Sequence, residues 1–94
     1  MAVEGVEAPP GRHQHHLKNK WEQRRPVAVS YKKALSEIFP QMIREGQCIE
    51  APSETGAEVY LMKVGGEPCG LVVRGGTIKT FYHERLLRRN NIIQ

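Results

Sequence analysis

A chain of 94 residues without internal repeats or a shift in composition has the length of one domain, and its single core is too small to enclose a large ligand. Fourteen lysines and arginines against 10 acidic residues give a formal charge of +4, which favours an anionic partner. Two cysteines, Cys48 and Cys69, have neither the density of a secreted disulfide scaffold nor the spacing of a CxxC site, and apolar stretches such as Leu71 to Val73 are far too short to span a bilayer.

The opening MAVEGVEA carries acids where a signal peptide carries bases, so a cytoplasmic protein without a membrane partner is expected. Residues 1–11 end in Pro9, Pro10 and Gly11, which cannot continue regular structure; they predict a flexible leader before one α+β domain over residues 12–94. No helix breaker occurs from Arg12 to Arg25, and Pro26 stops the pattern, which gives a first helix with Leu17 and Trp21 as its packing stripe. Ser30 is the expected N-cap of a second helix carrying Leu35, Ile38, Phe39, Met42 and Ile43, with Gly46 as its stop. Pro40 should kink this helix or restart it.

Beyond Gly46 the pattern turns to strands. Gln47 to Glu50 is a candidate short strand, Ala51 to Gly56 a loop, and Glu58–Val64, Cys69–Arg74 and Thr77–Tyr82 are rich in β-branched and aromatic residues. Gly65 to Pro68 makes one connection, and Gly75-Gly76 suits a type I′ hairpin turn, so these strands are antiparallel neighbours. The final HERLLRRNNIIQ reads as a short helix or tail in which Leu86 and Leu87 either dock on the sheet or join two copies as a homodimer. The expected fold is therefore α+β: two N-terminal helices packed on a three- or four-stranded antiparallel β-meander, followed by a short C-terminal helix or tail.

Charge is concentrated in the helical half. Between Arg12 and Lys33 there are seven lysines and arginines and one acid, Glu22, and such clustering favours nucleic acid because phosphate contacts release counterions. At about 100° per residue, His13, His16, Lys20 and Arg24 share one stripe of the first helix. Imidazoles exchange protons near neutral pH, and cations hold a phosphate and the extra charge of its transition state. Such a set suits metal-free RNA cleavage, in which the ribose 2′-hydroxyl attacks the adjacent phosphorus and leaves a 2′,3′-cyclic phosphate. An ordinary solvated helix face accounts for the same residues without any chemistry.

On the last strand, alternation places Ile78, Thr80 and Tyr82 on one side and Lys79, Phe81 and His83 on the other. A hydroxyl of Thr80 or Tyr82 is a candidate phosphate contact, as are Lys79 and His83 if the strand is turned over. Lys18, Lys20 and Arg25 are further candidate nucleic-acid contacts. Trp21, Tyr31 and Tyr60 are open to base stacking or to core packing. Zinc is the competing use of His13, His15 and His16. Histidines two apart or adjacent, as His15 is to His13 and His16, do not share a helical face, however, and no cysteine lies at a customary spacing, so no metal and no cofactor is predicted.

The stretches RHQHHLKNKWEQRR and VVRGGTIKTFY, set in a helix–helix–meander order over roughly residues 12–83, resemble the barnase/EndoU/colicin/RelE class of small ribonucleases in its bacterial and phage members. The resemblance implies a metal-independent endoribonuclease, often a toxin neutralised by an inhibitor protein. It implies His16 as base or acid, Arg24 on the phosphate and Thr80 or Tyr82 beside it; the cluster His13, His15 and His16 departs from the pattern and leaves the histidine open, with His13 the other candidate. The functional expectation is a small basic domain acting on single-stranded or tRNA-like RNA. The alternatives are a non-catalytic module of the same fold that binds nucleic acid or a host protein, and a self-associating interaction module.

Overall fold

The computed structural model describes residues 2–3, 6–7, 11–52 and 56–93; the Pro9-Pro10 break and the middle of the 51–56 loop lie outside the described residues. In chain order come β1 (Ala2–Val3), β2 (Val6–Glu7), α1 (Gly11–Arg24), α2 (Tyr31–Lys33), a π-helical segment (Ala34–Ile38), α3 (Phe39–Glu45), β3 (Gln47–Glu50), β4 (Ala57–Val64), β5 (Glu67–Arg74), β6 (Thr77–Tyr82) and α4 (Glu84–Arg89). The sheet order is β1-β2-β6-β5-β4-β3. The chain is thus α+β around an antiparallel meander, β3 to β6, with two two-residue strands added at the β6 edge. Those two strands fall in the segment expected to lack regular structure: Glu7 pairs in parallel with Thr77.

The helices differ from the two plain ones expected. One N-terminal helix, α1, is followed by a mid-chain run from Tyr31 to Glu45 whose centre is π-helical, and α4 closes the chain. Ser30 caps the middle run as predicted, its Oγ accepting from the Lys33 amide at 3.2 Å. Pro40 supplies the reason for the π segment. A proline inside a helix offers no N–H and crowds the carbonyl four residues back. Here the turn ahead of it widens, with the Phe39 amide donating to the Ala34 carbonyl five residues earlier, so the run passes through the proline and continues to Glu45.

The strand boundaries also move. β5 begins at Glu67, so Pro68 lies within a strand, paired with Lys63 near its first residue, where a missing donor is tolerated. Gly75 and Gly76 have φ of 59° and 76°, the left-handed pair that a type I′ turn requires.

Both faces of the meander are covered, which explains why Cys69 to Val73 on β5 are buried without a break. On one face α1 and the middle helical run bring Leu17, Trp21, Ala34, Phe39 and Met42 onto Cys69, Leu71, Val73, Ile78 and Phe81. Trp21 is its centre, edge-on to Phe39 and Phe81 at centroid distances of 5.5 and 4.9 Å. On the other face Leu87 of α4 sits on Ala57, Val59 and Val72, with Ile92 and Ile93 packed beside it. The C-terminal segment therefore docks on its own sheet. Asn91, at φ 58°, turns the chain back after α4, and the Ile92 amide donates to the Leu87 carbonyl at 2.8 Å.

Docking of α4 depends on Gly70. A Cβ at this position would stand 2.7 Å from Leu87 Cδ2 and 2.8 Å from Val59 Cγ1. Gly70→Ala is expected to push α4 off the sheet and to cost about 1–3 kcal/mol, as overpacking does. Urea denaturation measures the loss, and unchanged stability would show that Leu87 simply rotates aside.

Burial also builds in an alkaline limit. Desolvation, aided by the nearby Glu67 charge, pushes the Cys69 thiol from its ordinary 9.0 up to about 12, and desolvation raises the Tyr31 hydroxyl from 10.0 to about 12. Above pH 9 to 10 the unfolded chain releases these protons first, so it binds fewer protons than the folded chain and stability falls as pH rises. The contribution is complete below about pH 9 and is lost progressively towards pH 12, with a slope of at most about 1.4 kcal/mol per pH unit for each group. Chemical denaturation between pH 8 and 11 should show this fall, and Cys69→Ala should flatten its lower part.

Candidate nucleic-acid interface

Leu17 and Trp21, both 0 % exposed, lock α1 against the sheet and so set the direction of every other α1 side chain. On an ideal helix His13, His16, Lys20 and Arg24 flank this stripe on one side, while Gln14 and Lys18 flank it on the other. The side that carries Arg24 meets the end of β6.

There the strand is irregular. Val72 pairs with Thr80 and Val73 with Ile78, which leaves Lys79 as an unpaired bulge residue. Strict alternation is therefore broken, a correction to the expected two sides. Ile78 and Phe81 both enter the helix-side core, Lys79 is exposed, Thr80 is half-buried, and Tyr82 packs with the α4-side cluster.

Arg24 reaches this strand end. Its Nη1 donates to the Phe81 carbonyl at 3.0 Å and to Thr80 Oγ1 at 3.3 Å, and its guanidinium carbon lies 5.8 Å from the centre of the Tyr82 ring. Arg24, Thr80 and Tyr82 thus come together from positions 56 and 58 residues apart in the chain. Partial burial lowers the Arg24 pKa from its ordinary value, opposed by the neighbouring Tyr82, but an arginine stays cationic throughout the range of protein function. Only Nη1 is engaged among the described residues, so Nε and Nη2 remain as donors for an anion.

The histidines do not converge on this point. His13, His15 and His16 are exposed, and Arg24 lies eight positions along the helix from His16, about 12 Å along the axis. Lys18 and Lys79 are exposed and Lys20 is half-buried. Arg25 is partly committed to the fold, its Nη1 donating to the Val29 carbonyl at 2.9 Å.

His83 follows Tyr82 directly but is also the N-cap of α4. Its Nδ1 accepts from the Leu86 amide at 3.3 Å, which places the proton of the neutral ring on Nε2 and makes that nitrogen a donor. Acting as a base at Nε2 would require a change of tautomer and loss of the cap. His83 also lines a shallow groove of about 630 Å³ with Glu67, Glu84, Arg85 and Arg88. Glu84 and Arg88 are paired at 2.7 Å.

The aromatic candidates for base stacking move out of the site. Trp21 is fully buried and donates its Nε1 proton to the Val29 carbonyl at 2.8 Å, and Tyr31 is 8 % exposed, so neither ring offers a face for stacking. Tyr60 is half-buried against the helix-side core. What sequence reasoning missed is a backbone group, the Phe81 carbonyl that orients Arg24. No residue-type signal marks a carbonyl.

Among the described residues no group of three or more His, Cys, Asp or Glu is arranged to hold a metal ion, and no helix is long and apolar enough to cross a membrane. Cys48 is exposed, with its Sγ 3.0 Å from Glu58 Oε2, and Cys69 is buried; both are free thiols. Comparison of the chain with protein-family models, with characterised proteins and with solved structures gives no match, so the interface is read from its own residues and geometry.

Proposed function

We propose that this chain is a small RNA-acting domain that holds a phosphodiester at Arg24, Thr80 and Tyr82. The single observation that carries the reading is the Arg24 guanidinium, fixed through Nη1 at the end of β6 with further donors left over. A guanidinium oriented by the protein loses less freedom when it takes up a phosphate than a loose side chain does. Lys20 and Lys79 add half-buried and exposed charge for neighbouring phosphates, a sequence-independent contribution that weakens with salt, while Lys18 stands on the other flank of α1.

Metal-independent endoribonuclease action is the second reading, and the position of His83 favours it. In its capped tautomer His83 presents a protonated Nε2 from the residue next to Tyr82, a donor suited to a phosphate oxygen or a departing 5′-oxygen. The base would then be His16 or His13, acting on RNA bound along α1. The 12 Å of helix between His16 and Arg24 argues for successive phosphates rather than one reacting centre, and for this reason binding comes first. A ribonuclease reading also carries the expectation of an inhibitor protein as partner, as the resemblance implies.

The deciding experiment incubates the purified protein with labelled single-stranded RNA and with tRNA in EDTA, and reads both filter retention and product ends. The expected result is retention that falls steeply as salt rises. Cyclic-phosphate ends that disappear in His16→Ala, or in the cap-preserving His83→Asn, would promote the nuclease reading. Absence of both retention and cleavage would sink the RNA reading altogether and leave a protein partner.

A further inference from the structure

A second groove lies between α1 and α2, lined by Gln14, His15, Lys18, Tyr31, Lys32 and Leu35, with a volume of about 430 Å³. It belongs to the flank of α1 that carries Gln14 and Lys18, away from Arg24. Among the described residues no carboxylate lines it, whereas Lys18 and Lys32 bring two cations whose side chains are exposed.

Tyr31 makes the groove unusual. The residue is 8 % exposed, and its hydroxyl is the one buried side-chain polar atom without a hydrogen-bond partner among the described residues. Buried hydroxyls normally find partners, because leaving one unpaired forfeits its bond to water without replacement. The ring packs on the core, edge-on to Phe39 at 6.4 Å, while the residue also lines the groove. Desolvation keeps the hydroxyl protonated up to about pH 12, so at neutral pH it is a donor in need of an acceptor.

We propose that this groove binds a phosphate group, with Lys18 and Lys32 taking its oxygens from the two helices and the Tyr31 hydroxyl donating from the buried side. Lysines supply charge, and a fixed hydroxyl supplies direction; the two together distinguish a site from a charged surface. The phosphate is carried either by a free mononucleotide or by an RNA strand. The inference does not depend on Arg24, since the two places lie on different flanks of α1.

The test is amide NMR of the full chain titrated with adenosine 5′-monophosphate and, separately, with an eight-nucleotide single-stranded RNA. The wild type is compared with Tyr31→Phe, with Lys18→Gln/Lys32→Gln and with Arg24→Gln. Shifts at Lys18, Tyr31 and Lys32 are expected, with affinity reduced about 10-fold or more by Tyr31→Phe and by the double lysine change, as for loss of a bond to a charged group. Arg24→Gln should leave those shifts in place even if it abolishes RNA binding at β6. Binding of the mononucleotide assigns the groove to free nucleotides, and binding of the RNA alone assigns it to a strand. Absence of shifts at these residues with either ligand overturns the proposal. So does a folded Tyr31→Phe that binds like the wild type, since attraction by two surface lysines would then suffice.

Discussion

Trp21→Ala is expected to remove about 3–5 kcal/mol of stability, the usual cost of deleting a fully buried large aromatic side chain. A domain of this length has roughly 5–14 kcal/mol in all, so the loss removes a large share of it, and at the low end of that range the variant is partly unfolded at room temperature. Trp21 makes the edge-on contacts to Phe39 and Phe81 that tie α1 to both the middle helical run and β6. Its Nε1 also fixes the loop after Pro26 through the Val29 carbonyl. Trp21→Phe should cost far less, because the carbonyl keeps a second donor in Arg25 Nη1. Thermal and urea denaturation of both variants separate the packing contribution from the hydrogen bond. Near-equal losses would mean that the hydrogen bond, rather than ring volume, holds the loop and the core together.

Arg24→Gln is expected to weaken retention of single-stranded RNA about 10- to 100-fold at constant salt, the range for losing a charge-assisted hydrogen bond. The slope of log affinity against log salt should fall by about one phosphate's worth, roughly 0.7 for a single strand. Arg24→Lys should recover the salt slope but only part of the affinity. A lysine keeps the charge and cannot donate to the Phe81 carbonyl, to Thr80 Oγ1 and to a phosphate with one planar fork. Melting temperature is the control readout. If both variants bind RNA like the wild type while melting earlier, Arg24 is a strap between α1 and β6 and nothing more.

Much of the fold could be read from local chemistry. The Thr77–Tyr82 strand, the Gly75-Gly76 turn and the Ser30 cap lie where propensity, glycine conformation and capping place them, because each is decided by neighbours a few residues away. Three features are not decided by near neighbours in the chain. The π segment arises from a conflict between a strong helical pattern and Pro40, and either breaking or widening the turn resolves such a conflict. The bulge at Lys79 depends on the register against β5, which a single strand's alternation cannot reveal. The first strands, Ala2–Val3 and Val6–Glu7, are too short to leave a periodic signal and exist only by pairing with each other and with the β6 edge.

The candidate site divides along the same line. The sequence by itself determined which residues share the basic flank of α1, since helical spacing is a local property, and it marked Arg24, Thr80 and Tyr82 as candidates. Only the tertiary structure decided that these three meet while His13 and His16 stay out in solvent, because the buried Leu17–Trp21 stripe sets the rotation of α1 and the meander sets where β6 ends. It also decided that Leu87 closes the second face of the sheet over Gly70, and that Tyr31 keeps a buried hydroxyl without a partner. Such outcomes turn on contacts between residues dozens of positions apart, and neither composition nor periodicity encodes them.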